Sequence, residues 1–249
     1  MHSIIYLGWL MSEYLNTLHH IFIEEDRYMF IVNGFFVTLE ITFFAAIMGI
    51  ILGMILSLMT ISNFYPFKHS KIARLRKFNP LSTVAFTYIN LIRGTPTVVQ
   101  LFFLVYIVFT GSLAKTSTIV IASIAFGMNS AAYVAEIIRA GIQGLDKGQM
   151  AAARALGMSY FLSMRLIILP QAVKNIMPAL VSEFIVLLKE TAIVGIIGVV
   201  DLAYGVKIIQ STTFRAAEPL IVVALVYLML TTIFTFFMYK IERRLRARD

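Results

Sequence analysis

At 59% hydrophobic and 14% charged over 249 residues, the chain carries more apolar surface than one soluble core of that size can hide, because soluble domains run near 45–50% and about 25%. The absence of Cys excludes disulfides and thiolate metal sites, and the four His (His2, His19, His20, His69) lack ligand spacing, so no metal site is expected. A net charge of +8 would suit nucleic acid, but the placement of those charges along the chain assigns them to membrane topology instead.

Residues 1–29 set Ile4, Ile5, Leu7, Trp9, Leu10, Tyr14, Leu15, Leu18 and Ile21 at roughly helical spacing, and the acids Glu13, Glu24, Glu25 and Asp26 outnumber the one base, Arg27. This predicts an amphipathic extension over 1–30, interfacial or packed on the surface. No basic stretch precedes its first apolar residues, so it does not read as a cleaved signal peptide.

The first apolar segment, 31–61, exceeds the roughly 20 residues that a bilayer requires and is expected to tilt or protrude. Its Gly49 and Gly53 are expected to let another helix approach closely, and Glu40 is expected in solvent near the outer end. Residues 63–80 form a connector with Lys68, Lys71, Arg74, Arg76 and Lys77 and no acid. The second segment, 81–110, is interrupted by Arg93-Gly94-Thr95-Pro96. The third, 118–141, is rich in small and polar residues and is expected to face other helices rather than lipid. The fourth, 175–200, carries Glu183, Lys189 and Glu190; residues 201–219 read as a polar loop; the fifth segment is 220–239, and the chain closes on a basic tail.

Lys and Arg alternate by connector. The stretches 63–80, 139–175 and 240–249 hold five each, whereas 1–30, 111–117 and 201–219 hold one, one and two. By the positive-inside rule this gives an all-α integral membrane protein of about five transmembrane helices, N-terminus outside and C-terminus inside. Residues 246–249 then form a basic cytoplasmic tail, and no nucleic-acid partner is implied.

The long polar stretch 142–172 is thereby cytoplasmic. Residues 147–157 read as a short helix bounded by Gly148 and Gly157, with an Ala face that admits close approach by another protein, and Ile168-Leu169-Pro170 is expected to begin the return to the membrane. In this stretch the chain resembles the membrane-spanning permease subunit of ATP-binding-cassette importers, whose coupling loop carries EAA, three residues, Gly, about nine residues and I-x-LP. Ala152, Ala153, Gly157, Ile168, Leu169 and Pro170 match, and Ala151 stands where the family usually has Glu. The resemblance is closest to the polar-amino-acid branch, through Arg93-Gly94-Thr95-Pro96, the run 132–139 and the run 187–191, and it covers about 31–245.

It implies that Gly148, Ala151, Ala152, Ala153, Arg154, Gly157, Leu169 and Pro170 form a cytoplasmic coupling element for an ATPase subunit. It also implies a second permease subunit, identical or homologous, and an extracytoplasmic substrate-binding protein. The chain has no GxxxxGK[ST] phosphate loop, so it is not expected to be an enzyme; ATP and Mg would be used by the partner and no cofactor is expected here.

Charges at bilayer depth mark a pathway or a pairing. Glu183 has two readings: a carboxylate partner for a substrate ammonium, or a structural pair with Arg93 or Lys189. Arg93, Gly94 and Thr95 also have two: freed backbone groups and the Thr95 hydroxyl holding a substrate carboxylate, or a kink whose Arg93 pairs with a buried acid. Asn129 and Ser130 line the same cavity or bond between helices. Lys189, Glu190 and Thr191 are assigned to gating or packing, and Glu136 with Arg139 to an ion pair on one helix face. The expected function is a permease subunit moving polar, cationic or zwitterionic amino acids by alternating access. The rivals are an ion-coupled secondary transporter, a permease for a related solute such as an opine, and a membrane scaffold subunit. The first rival would need paired internal repeats, which the sequence does not show.

Overall fold

The structure is a computed structural model and describes residues 2–246, with side chains over 11–244. The side chains of Ile4 to Leu10 and residues 247–249 of the tail lie outside this description. Every element is helical: α1 (His2–Phe22), α2 (Tyr28–Ile61), α3 (Ala73–Arg76), α4 (Pro80–Arg93), α5 (Thr97–Phe103), α6 (Thr118–Gln143), α7 (Lys147–Ala155), α8 (Tyr160–Ser163), α9 (Leu169–Glu190), α10 (Leu202–Thr213) and α11 (Ala217–Arg246). A π turn at Leu104–Val108 extends α5, another at Met164–Ile168 joins α8 to α9, and a 3₁₀ turn at Thr191–Ile197 follows α9.

The bundle is built around α6, which packs against α2, α4, α5 and α9. Its small residues Ala122, Ala125, Gly127, Ala131 and Ala132 are buried and bring backbones close on several sides. The main core joins Ile41 and Ala45 of α2, Leu101 of α5, Phe126 of α6, Leu187 of α9 and Val194. Gly49 and Gly53 form the seam between α2 and α6. A methyl group added at Gly53 would lie 2.7 Å from the Val134 side chain and 3.0 Å from the Ala131 carbonyl, and one at Gly49 would lie 2.9 Å from Ser130 Oγ. Thus the GxxxG step serves packing within this chain. A Gly53→Leu variant is expected to lose about 2–3 kcal/mol through overpacking, read as a fall of several degrees in the melting midpoint of the detergent-solubilised protein.

Three helices are long and apolar enough to cross a membrane: Glu24–Ile61, Thr118–Gln143 and Ala217–Arg244. The count reaches five only if two bent pairs each make one span, Pro80–Arg93 with Thr97–Val108 (105°) and Tyr160–Ile197 with Leu202–Thr213 (49°). The first bend falls on the interruption read in the sequence, because Pro96 supplies no N–H and disfavours a helical Thr95.

The loop expected at 201–219 is a correction. Most of it is α10, whose Leu202, Gly205, Val206 and Ile209 are buried. Asp201, 0% exposed, caps this helix by accepting from Tyr204 N (2.9 Å) and Ala203 N (3.3 Å), and Thr38 Oγ1 of α2 accepts from Leu202 N (3.2 Å). The return helix also starts before Ile168-Leu169-Pro170: helical turns run from Tyr160 through the π turn into α9, so Leu169 and Pro170 form the first turn of α9 itself. At the other end, α1 is joined to α2 by a turn with left-handed Glu25 and Asp26 (φ 54° and 53°), held by buried Arg27 donating to His20 O (2.6 Å) and Glu25 Oε2 (2.8 Å).

Candidate functional site

The break between α4 and α5 frees backbone carbonyls, and one side chain collects them. Gln100 Nε2 donates to Ile92 O (2.7 Å), Thr95 O (3.0 Å) and Thr95 Oγ1 (2.9 Å). Its Oε1 accepts from Asn129 Nδ2 of α6 (3.1 Å). The next residue of α6, Ser130, donates its hydroxyl to Glu183 Oε1 of α9 (3.0 Å). Two polar contacts therefore meet at adjacent residues of α6, one from Asn129 to Gln100 at the broken span and one from Ser130 to Glu183 on α9. Asn129 and Ser130 are buried, and Glu183 is half-buried.

Of the residues singled out in the sequence, Thr95, Asn129, Ser130 and Glu183 take part in these hydrogen bonds; Gly94 sits at the break, its N–H donating to Asn90 O (2.9 Å). The Thr95 hydroxyl is already engaged, donating to Leu91 O (2.9 Å) and accepting from Gln100. Arg93 does not join them: it is exposed and lies over the Tyr133 ring, 5.2 Å from its centroid. Lys189 is exposed and lines a groove of about 510 Å³ between α9 and α11 with Thr231, Thr232 and Thr235. Hence the structural pair of Glu183 with Arg93 or Lys189 is not formed, and the carboxylate rests on Ser130. The Ser130 hydroxyl brings no formal charge, so among the described residues Glu183 has no ion-pair partner.

Gln100 is the residue that sequence reasoning missed, although a lone amide within Thr97–Phe103, otherwise mostly apolar, was a signal. Gln100→Leu is expected to strand the Ile92 and Thr95 carbonyls and the Asn129 amide, costing about 2–3 kcal/mol; thermal melting in detergent checks it. Glu136 and Arg139 pair as expected at i, i+3, with Arg139 Nε donating to Glu136 Oε2 (2.9 Å). Glu190 is half-buried at the end of α9 and Thr191 is fully buried, donating to Leu188 O (2.8 Å). Glu40 is exposed on α2, among the outward-facing Phe36, Phe43 and Phe44. A groove of about 380 Å³ between α6 and α9 is lined by Glu136, Gly144, Asn175 and Ala179; Glu183 is one turn beyond Ala179 on α9.

The second element of interest is α7. Asp146 caps its start by accepting from Gly148 N (2.8 Å). Its end is closed by Met158 N donating to Ala153 O (3.2 Å) and Gly157 N to Arg154 O (3.1 Å), with Gly157 at φ +81°. That double bond around a left-handed residue is a Schellman cap, and glycine is the residue that adopts it without strain. Ala153 faces inward at 2% exposure, whereas Ala151, Ala152, Arg154 and Ala155 face out, with Leu156 beside them at 84%. On its inner side α7 packs against the π turn Met164–Ile168, which leads directly into α9 and Glu183.

Broken spans, polar contacts at the centre of an apolar bundle and a capped surface helix leaning on the helix that carries their carboxylate define a membrane transport subunit. The chain belongs to the family described as binding-protein-dependent transport system inner membrane component, which matches residues 71–247. It is 42% identical over 221 residues to the arginine transport system permease protein ArtQ of Bacillus subtilis (strain 168), covering 88% of this chain and 94% of that one. It is 37% identical over 235 residues to the putative glutamine transport system permease protein GlnP of Rickettsia felis, covering 94% and 99%. A crystal structure of an amino acid ABC transporter with histidines aligns at a TM-score of 0.76 and 42% identity, covering 90% of this chain and 98% of that chain.

Proposed function

We propose that this chain is the membrane-spanning permease subunit of an ATP-driven importer for polar amino acids, and that Glu183 receives the substrate ammonium. The observation that carries this reading is the carboxylate of Glu183 held by one neutral hydroxyl, Ser130 Oγ at 3.0 Å, within a membrane bundle. A charge in that setting favours a cationic partner strongly. Every free amino acid brings an ammonium, and the arginine and glutamine named for the relatives are both cationic or zwitterionic. Gln100 and Asn129 form a second polar contact between α5 and α6 (3.1 Å), one residue along α6 from Ser130.

In this reading residues 1–30 are an extracytoplasmic extension, 31–245 the transmembrane domain and 246–249 a cytoplasmic tail, the N-terminus outside. The coupling loop 142–172 faces the cytoplasm and docks on an ATPase subunit, which uses ATP and Mg. An external binding protein delivers substrate, and a second permease subunit, identical or homologous, completes the pathway. Closure of the ATPases displaces α7, and the displacement passes through the π turn into α9 as a rigid-body shift. Lys189, Glu190 and Thr191 at the far end of α9 serve packing and gating.

The test is purification of the tagged chain in mild detergent, identification of what accompanies it, and uptake by the reconstituted assembly. ATP-dependent uptake of an amino acid with a co-purified ATPase supports the reading. Uptake by the chain alone without ATP would replace it with an ion-coupled carrier.

A further inference from the structure

The connector between α2 and α4 takes no part in the site or in α7, yet it has a pattern of its own. Lys71, Arg74 and Lys77 recur every three residues, and Ile72, Leu75 and Phe78 recur beside them with the same step. Between them the backbone makes the single α-helical turn α3: Leu75 N (3.1 Å) and Arg76 N (3.2 Å) both donate to Ile72 O, and Phe78 N donates to Leu75 O (3.1 Å). Bases and apolar side chains are thus interleaved along one short segment. All six are exposed, as are Phe64, Phe67, Lys68 and Arg76. Among the described residues no carboxylate holds any of the five bases.

The location fixes what can cover this surface. Directly before it α2 leaves the bilayer with Leu58 exposed, and directly after it α4 enters with Leu81 and Val84 exposed. Continuity with those lipid-facing residues puts the connector at headgroup depth. There its exposed apolar side chains can meet the acyl boundary while its bases reach phosphates. Behind Lys77 lies a recess of about 540 Å³ with polar lining from Ser62, Asn63, Asn79, Thr83 and Gln143, in which Ser62, Asn79 and Thr83 are tied to the protein's own carbonyls. We propose that residues 64–78 are a docking surface for anionic phospholipid headgroups, which anchors the α2–α4 connector to the membrane surface.

The experiment is native mass spectrometry of the purified full-length chain in mixed micelles containing phosphatidylglycerol and phosphatidylcholine in equal amounts. The wild type is expected to retain phosphatidylglycerol preferentially. Each base near an anionic surface contributes roughly fivefold to such partitioning, so the combined Lys71→Gln, Arg74→Gln and Lys77→Gln variant is expected to lose about a hundredfold of that preference. Exchange of Lys71 and Lys77 to Arg is expected to preserve it. Should the triple variant fold poorly, the wild type still decides the matter, because raising salt from about 0.05 to 0.5 M must collapse a preference that rests on charge. Equal retention of the two lipids by the wild type, a preference unmoved by the triple variant, or a salt-independent preference would each overturn the proposal. So would protection of 64–78 by a co-purified protein with the lipid ratio unchanged, which would assign the surface to that protein instead.

Discussion

Glu183→Gln is expected to lower ATP-driven uptake by about 10- to 150-fold, the range set by a charge-assisted hydrogen bond of 1.5–3 kcal/mol, while leaving the fold unchanged. Gln keeps a carbonyl oxygen where Oε1 accepts from Ser130 at 3.0 Å, so the contact between α6 and α9 survives and only the negative charge is removed. Glu183→Ala removes both and strands the Ser130 hydroxyl, which adds about 1 kcal/mol of destabilisation. Glu183→Asp retains the charge and withdraws it by one methylene; its uptake should fall between wild type and Gln. Ser130→Ala leaves the carboxylate in place and releases its anchor, so it should act mainly through positioning, on KM more than on kcat. A purely structural Glu183 predicts a different order: Ala would be worst in melting temperature, with Gln and Asp both transporting normally. Uptake and melting measured on the same reconstituted preparations separate the two orders, and wild-type uptake by the Gln variant would remove Glu183 from the site.

What the sequence made legible was local chemistry. Pro96 and Gly94 act on their own backbone, so the break in the second segment could be placed before any partner was known. The small residues of α6 announced a crowded helix for the same reason, and Gly157 marked the end of α7 through a capping rule that needs no tertiary contact, whereas Gly148, read as the other bound, lies inside α7 and Asp146 caps its start. The missed features depend on chain reversal. Gln100 reaches Ile92 O, eight residues back, only because the break folds α5 against the end of α4, and no periodicity encodes that. Arg93 had two readings, a part in the substrate site or a pair with a buried acid, and neither foresaw Tyr133, forty positions away in sequence, which offers its ring face at 5.2 Å. The α10 helix was obscured by composition. Leu202, Val206 and Ile209 carry the helical period, yet Lys207, Gln210, Ser211 and Arg215 made 201–219 read as a loop. Asp201 followed by that period was a helix start in plain form, and the polar content outweighed it in the reading.

The second large effect is expected at α7, where Leu156→Asp should release the ATPase. Leu156 is 84% exposed beside Ala151, Ala152 and Ala155, and a large apolar side chain standing proud of a small-residue face is the form of an interface anchor. Loss of the buried Leu side chain costs about 1.5 kcal/mol, roughly tenfold, and a carboxylate buried without a partner adds about 1–3 kcal/mol, so retention of the ATPase on the purified chain should fall about 30-fold or more. ATP-driven uptake should fall with it. Leu156→Ala should weaken retention by roughly tenfold at most, since it removes contact without introducing a charge. Two further variants distinguish docking from transmission. Ala153 is 2% exposed and faces the bundle, so Ala153→Leu should leave the outer face intact yet push α7 off the π turn Met164–Ile168; ATPase should remain bound and hydrolyse ATP without uptake. Gly157→Val places a β-branched residue at φ +81°, which unwinds the last turn of α7 and should impair both retention and uptake. Retention is read by co-purification and transmission by the ratio of ATP hydrolysed to amino acid moved. Full retention and coupled uptake in Leu156→Asp would show that the ATPase docks elsewhere. Tight coupling in Ala153→Leu would show that the stroke reaches Glu183 by a route other than the packing of α7 on the start of α9.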